Sequence, residues 1–154
     1  PGQPGPEPSR SFPLLASGSE HHVYRDIASG RVVKITIPPS YGAFGRSEAY
    51  LRILELSNKY FGDDIRLEGI INMGEGRHAF PAIVTSQPFT NGSSPTLEEI
   101  SGWMSAQGFE ALGNNVYINR DLGIKVMDAH SGNIIKTRTG ALIPIDLLIH
   151  ELSR

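Results

Sequence analysis

The chain has 154 residues, 39% of them hydrophobic and 19% charged, with a formal net charge of −2. That is the composition of one ordinary globular domain, long enough to bury a core. The near balance of charge gives no electrostatic case for nucleic acid or a membrane surface. The lack of cysteine excludes disulfides and thiolate metal sites and fits a cytoplasmic location. No run of about 18 apolar residues is present, so no membrane-spanning helix is expected, and no signal-peptide pattern opens the chain.

Residues 1–11, PGQPGPEPSRS, lack apolar periodicity and read as an extended or disordered linker. Residues 12–37 read as antiparallel strands: FPLLA, then GSEHHVY, a turn at DIASG, and RVVKITI. Alternation in the last run puts Val32, Lys34 and Thr36 on one face and Val33, Ile35 and Ile37 on the other. Lys34 is thus a single cation in a β-branched run; on its own it reads as a strand lysine whose head reaches water. His21 and His22, adjacent and without further partners, are expected to face solvent. Residues 38–46 are broken by Pro38, Pro39, Gly42 and Gly45.

A helix is expected next, with Ser47 as its N-cap and Tyr50, Leu51, Ile53, Leu54 and Leu56 as a stripe packed on the sheet. Glu48 falls in its first turn, where the helix dipole favours a carboxylate; Glu55 lies two turns on. Two more strands, 65–73 and 79–85, flank the turn GEGRH. The connector SQPFTNG follows, and Thr96 with Glu98 and Glu99 gives a capping pattern for a helix ending near Gly108. Trp103 and Met104 read as core. GNN is a turn, and VYINRDLGIKVMD is a hairpin built on Asn119–Leu122.

The stretch from 123 to 149 carries the chemistry. Ile124–Met127 leads to Asp128, DAHSGN makes a tight polar loop ending at Asn133, and a further apolar run reaches Asp146. Taken singly, Asp128 is a turn or cap residue and Gly132-Asn133 a turn pair. Asp146 lies inside IPIDLLI, where a buried carboxylate is costly unless it is paired or metal-bound. Together they supply hard oxygen ligands for a metal and a carboxylate for an acceptor hydroxyl, the set that a Mg–nucleotide site needs.

DAHSGN resembles the D-x-H-x-G-N loop of aminoglycoside-phosphotransferase-like kinases, and PIDLLI resembles their metal-binding strand end. With EAYLRILELSNKYFGDDIRLEGI, IVTSQPF and the EEI…GF helix, residues 14–150 resemble the serine/threonine/tyrosine kinase-like domain of polyvalent proteins of phages and mobile elements. The resemblance implies an α+β, protein-kinase-like fold. Its parts are an N-lobe sheet with one main helix (12–86), a hinge (87–92) and a strongly reduced C-lobe (93–154). It implies ATP and Mg as cofactors, with Lys34 on phosphate, Glu48 as its partner, Asp128 as the catalytic-loop carboxylate, and Asn133 and Asp146 on Mg. Gly18 and Ser19 would cover the phosphates, although only Gly18 remains of the usual G-x-G-x-x-G. Ser86, Gln87 and Phe89 would meet the base. Eight residues follow Asp146, so no helical platform for a peptide substrate is expected. Two functions follow: a phosphotransferase acting on a hydroxyl of a protein or small molecule, or a non-catalytic, pseudokinase-like nucleotide-binding or interaction module.

Overall fold

The β-branched run expected to be a strand is one: Arg31–Thr36 (β3) sits in the middle of a five-stranded antiparallel sheet. The structure, a computed structural model, describes residues 12–38, 41 and 45–153. The linker expected over 1–11, and Pro39 and Gly42 of the 38–46 loop, lie outside them. The sheet runs in the order β1 (Leu14–Ser17), β2 (His21–Asp26), β3, β5 (Phe80–Pro88) and β4 (Arg66–Met73). Lys34 pairs with Val23 on one side and Thr85 on the other, so these three share a face. Thr36 is fully buried, and its hydroxyl oxygen accepts the Ile83 N–H at 2.8 Å, which lets a polar residue sit inside the sheet. On the opposite face Arg31 donates from Nε to the Ser86 hydroxyl at 2.8 Å and from Nη2 to the Ser86 carbonyl at 3.1 Å. Ser86 in turn donates to Glu68.

Strand β5 extends three residues beyond the expected 79–85, so Ser86 and Gln87 are buried strand residues. The pairings Ser86–Val33 and Gln87–Val32 continue the β3 ladder and outweigh the turn tendency of Pro88, whose missing N–H falls at the strand end. The outer strand β4 leaves Leu67 58%, Ile70 67% and Ile71 43% exposed, and its pairing with β5 slips between Leu67 and Gly69.

The chain divides into two compact units: residues up to Tyr50 with Ile65–Phe89, and Leu51–Asp64 with residues from Thr90 on. Helix α1 (Ser47–Phe61) contributes to both. In the first unit Tyr50 packs on His21, ring centroids 5.6 Å apart, with the hydroxyl 3.3 Å from Nε2. His21 is therefore buried, not solvent-facing as its sequence context suggests: it opens β2 directly after the tight β1–β2 hairpin, with its ring against Tyr50. The apolar stripe of α1 does not pack wholly on the first sheet. Leu56 is 1% exposed among Ile100, Met104, Phe109, Ile124, Val126, Ile134 and Ile149, and Tyr60 and Phe61 pack against the same cluster.

In the second unit α2 (Leu97–Ala106) starts as expected: the Thr96 hydroxyl accepts the Glu99 N–H, and the Glu99 carboxylate accepts the Thr96 N–H. Lys136 and the Thr96 amide hold the Glu99 carboxyl below the usual carboxylate range. A four-stranded sheet in the order β11 (Leu148–Glu151), β8 (Ile124–Met127), β7 (Val116–Asn119) and β6 (Glu110–Gly113) covers the core. A separate ribbon pairs β9 (Ile134–Lys136) with β10 (Leu142–Pro144). The β7–β8 hairpin closes at Asn119, whose side chain accepts the Leu122 N–H at 2.9 Å. Strands β6 and β11 have no counterpart in the sequence reading. β6 is short and wholly exposed, and β11 is hidden in an apolar run that reads as one strand but bends at Ile145–Asp146. The fold is α+β, and no helix among the described residues is long and apolar enough to cross a membrane.

The connector after Thr90 is clamped to β9. Ser93 and Lys136 exchange both backbone bonds, at 2.9 and 2.8 Å, and a Cβ on Gly92 would lie 2.2 Å from the Lys136 carbonyl oxygen. The nearest obstacle is backbone, which cannot swing aside as a side chain can, and Ile135 Cγ2 lies at 2.6 Å beside it. Gly92→Ala is therefore expected to cost about 1–3 kcal/mol, the usual range for overpacking. In calorimetry that is a fall of roughly 2–12 °C in Tm for a chain of this size. An unchanged Tm would show that the connector does not approach β9 this closely.

Candidate active site

Strand β8 ends because Asp128 adopts a left-handed backbone, φ 60°, which an L residue with a short polar side chain tolerates better than most. The chain then folds over itself. The His130 N–H donates to the Asp128 carbonyl at 2.9 Å and the Asn133 N–H to the His130 carbonyl at 3.0 Å. The Ala129 N–H donates to the Asn115 carbonyl at 3.0 Å, tying the loop to the β6–β7 turn, while the Ala129 side chain is fully buried beneath it.

Inside the loop the polar side chains converge on Asp128. The Asn133 side-chain nitrogen lies 3.0 Å from the Asp128 carbonyl oxygen and 2.8 Å from carboxylate oxygen Oδ2. Both of those oxygens can only accept, so the amide must present its NH2 to them. Its Oδ1 is left over, and it accepts no hydrogen bond from a described residue. His130 Nε2 lies 3.2 Å from the other carboxylate oxygen, Oδ1. His130 Nδ1 accepts the Gly132 N–H at 3.0 Å.

Asp146 is joined to this loop through the backbone. The Ile145 N–H donates to the Asn133 carbonyl at 2.9 Å, one step past the Ile134–Pro144 pair of the β9–β10 ribbon. Asp146 is exposed on the bend between β10 and β11. The expectation of a buried carboxylate inside a strand is thus corrected: the apolar neighbours point into the core while the bend turns Asp146 outward. The argument from the cost of a buried charge lapses, and the case for Asp146 rests on its adjacency to Asn133.

Among the described residues no three His, Asp or Glu side chains gather closely enough to hold a metal. The donor set nonetheless suits Mg, which takes one or two protein oxygens and fills its octahedron with phosphate oxygens and water. Asn133 Oδ1 and the Asp146 carboxylate are hard oxygen donors of that kind.

The remaining expected residues belong to the first unit. Lys34 is half-buried in mid-β3. Glu48 is exposed in the first turn of α1 and makes no hydrogen bond or ion pair with a described residue, so the expected contact with Lys34 is not formed here. Glu55, the other carboxylate of α1 that could serve Lys34, lies in the second unit and is bound to Arg52 at 2.8 Å. Gly18 and Ser19 form the exposed tip of the β1–β2 hairpin, where the Gly18 N–H donates to the His21 carbonyl at 3.0 Å. The Phe89 N–H is taken by the Gly30 carbonyl at 3.0 Å, and the Arg25 guanidinium sits 4.0 Å from the centre of the Phe89 ring. His130 was not singled out by sequence reasoning; its signal was the histidine two residues after Asp128 and the glycine two residues later.

The left-handed backbone at Asp128 gives a stability test. Asp128→Ala keeps the strain of a Cβ in that region, whereas Asp128→Gly relieves it, by about 1 kcal/mol. The Gly variant is expected to melt above the Ala variant by a few degrees in parallel denaturation curves. The reverse order would mean that residue 128 is not left-handed in solution.

The sequence profile of a family described as serine/threonine/tyrosine kinase found in polyvalent proteins matches residues 8–151. No curated protein matches the chain. With a profile match over nearly its whole length, the chain belongs to the serine/threonine/tyrosine kinases found in polyvalent proteins.

Proposed function

We propose that this chain is an ATP- and Mg-dependent phosphotransferase that phosphorylates a hydroxyl group of a protein or small molecule, as one cytoplasmic module of a polyvalent protein of a phage or mobile element. The observation that carries the reading is the Asn133 amide, which spends its nitrogen on Asp128 and keeps its oxygen for another partner. Asn133 and Asp146 would hold Mg, which supplies neutralising charge at the phosphate oxygens. Asp128 is exposed and would accept the hydrogen bond of the attacking hydroxyl, orienting it for transfer. Lys34 would neutralise phosphate charge, with Glu48 as a partner once nucleotide is bound. Gly18 and Ser19 would lie toward the phosphates, and Ser86, Gln87 and Phe89 toward the base.

One observation favours the second reading, a non-catalytic, pseudokinase-like module, in its form as an interaction module. The Gly18 and Phe89 amides are both engaged within the first sheet. Neither is free to bind phosphate or base as those positions imply. Turnover separates the two readings.

The deciding experiment is a calorimetric titration of ATP with and without Mg, followed by Mg-dependent ATP turnover and autophosphorylation. Binding that requires Mg is expected, and Asp146→Asn should abolish the Mg dependence while leaving Tm nearly unchanged. Lys34→Met should weaken ATP by about tenfold or more, the scale of one lost charge-assisted bond, and adenosine hardly at all. Equal weakening of both ligands would remove Lys34 from the phosphates. Mg-dependent binding without turnover would leave the module reading standing.

A further inference from the structure

We propose that Arg25 binds the base of the nucleotide, its guanidinium supplying the hydrogen-bond donor that the connector after β5 does not. The inference rests on the phosphotransfer reading, which puts phosphate at Lys34 and the base toward Phe89. It deepens that reading by giving a role to a residue outside the expected set.

The register of the first sheet gives Arg25 its place. Val32 pairs with Arg25 on one side and with Gln87 on the other, just as Lys34 pairs with Val23 and Thr85. The two rows are two residues apart, so they stand on one face, about 7 Å from each other along the strands. Arg25 and Gln87 hold the row nearer the end of β5, where the chain leaves the sheet at Phe89. The face that carries Lys34 therefore carries a second cation, and it stands at the base end.

The guanidinium lies over the Phe89 ring, its carbon 4.0 Å from the ring centre. Such a stack satisfies the flat face of an arginine but none of its N–H groups, which all lie in the plane. Among the described residues none accepts a hydrogen bond from this side chain, and its Nε is buried. A buried donor without an acceptor is costly, and a bound molecule that brings an acceptor removes the cost. The stack also holds the fork in place beforehand, so less freedom is lost when a ligand arrives. Beside it the backbone donor is spent, because the Phe89 N–H donates to the Gly30 carbonyl at 3.0 Å. The bare ring nitrogens of a purine can only accept. An acceptor in the plane of the guanidinium meets Nε and a neighbouring Nη together, so Arg25 offers the base what the Phe89 amide no longer can.

The test is calorimetric binding of ATP, adenosine, dideoxyadenosine and inorganic triphosphate, each with Mg, to the whole chain and to Arg25→Met. ATP and both nucleosides should weaken by one common factor of about tenfold or more, the scale of one lost charge-assisted bond. Triphosphate should bind as before, the reverse of the pattern expected for Lys34→Met. The Tm of Arg25→Met should not fall, because the variant keeps an apolar stem on Phe89 and removes a buried donor that has no acceptor. Arg25→Lys keeps the charge and loses the fork; it should also bind ATP and the nucleosides more weakly, and it carries the test if the Met variant does not fold. Unchanged ATP affinity in both variants overturns the proposal and leaves the phosphotransfer reading intact. So does a loss shared with triphosphate, which would make Arg25 a phosphate cation, or one that spares dideoxyadenosine, which would put it on the ribose. A wild-type chain that binds none of these probes overturns that reading and this role together.

Discussion

A carboxylate and a carbonyl can accept hydrogen bonds but never donate them, and the loop at 128–133 depends on that asymmetry. Asp128 presents its carbonyl and a carboxylate oxygen to Asn133, and a group that bonds to them has to be a donor. The constraint orients the Asn133 amide, while the Gly132 N–H donates to Nδ1 of His130 beside them. Asp128 and Asn133, the first and last residues of DAHSGN, are thereby locked together. The backbone adds Ile145 to the set by donating to Asn133, which is how a residue thirteen positions along, Asp146, comes beside the loop.

The local order of the fold was largely legible. The β-branched alternation of β3, the Thr96–Glu99 capping box, the Asn119 hairpin and the strand-loop-strand around Asp128 all follow from periodicity and turn chemistry. What could not be read depends on tertiary partners. Ser86 and Gln87 look like connector residues until β3 offers them a ladder. His21 looks solvent-facing until Tyr50 covers it. The stripe of α1 looks like a face for the first sheet until Leu56 finds Ile100 and Met104.

The site divides in the same way. Asp128 and Asn133 are neighbours in sequence, and their relation survives almost any fold that keeps the loop. Asp146 was chosen for a burial it does not have, yet the ribbon register puts it next to Asn133 all the same. Glu48 and Lys34 depend on how a helix meets a sheet, a relation that spacing alone does not encode. An isolated histidine in a polar loop carries no periodic signal, so the place of His130 beside Asp128 and Gly132 shows only in the distances.

The outer strand β4 bears on how the chain behaves before any chemistry is attempted. Ile70 and Ile71 are adjacent, point to opposite sides of the sheet and are both exposed. An open edge with apolar residues on both sides is a template on which another chain can add a strand. The slip at Leu67–Gly69 breaks the regular ladder at one end, and Arg66, Glu68 and Asn72 interrupt the apolar run. Among the described residues no further strand pairs with this edge, and irregularity and charge guard it. A substitution that removes the charge of Glu68, or one that straightens the slip, would therefore make this edge a sticky one while leaving every residue of the DAHSGN loop in place.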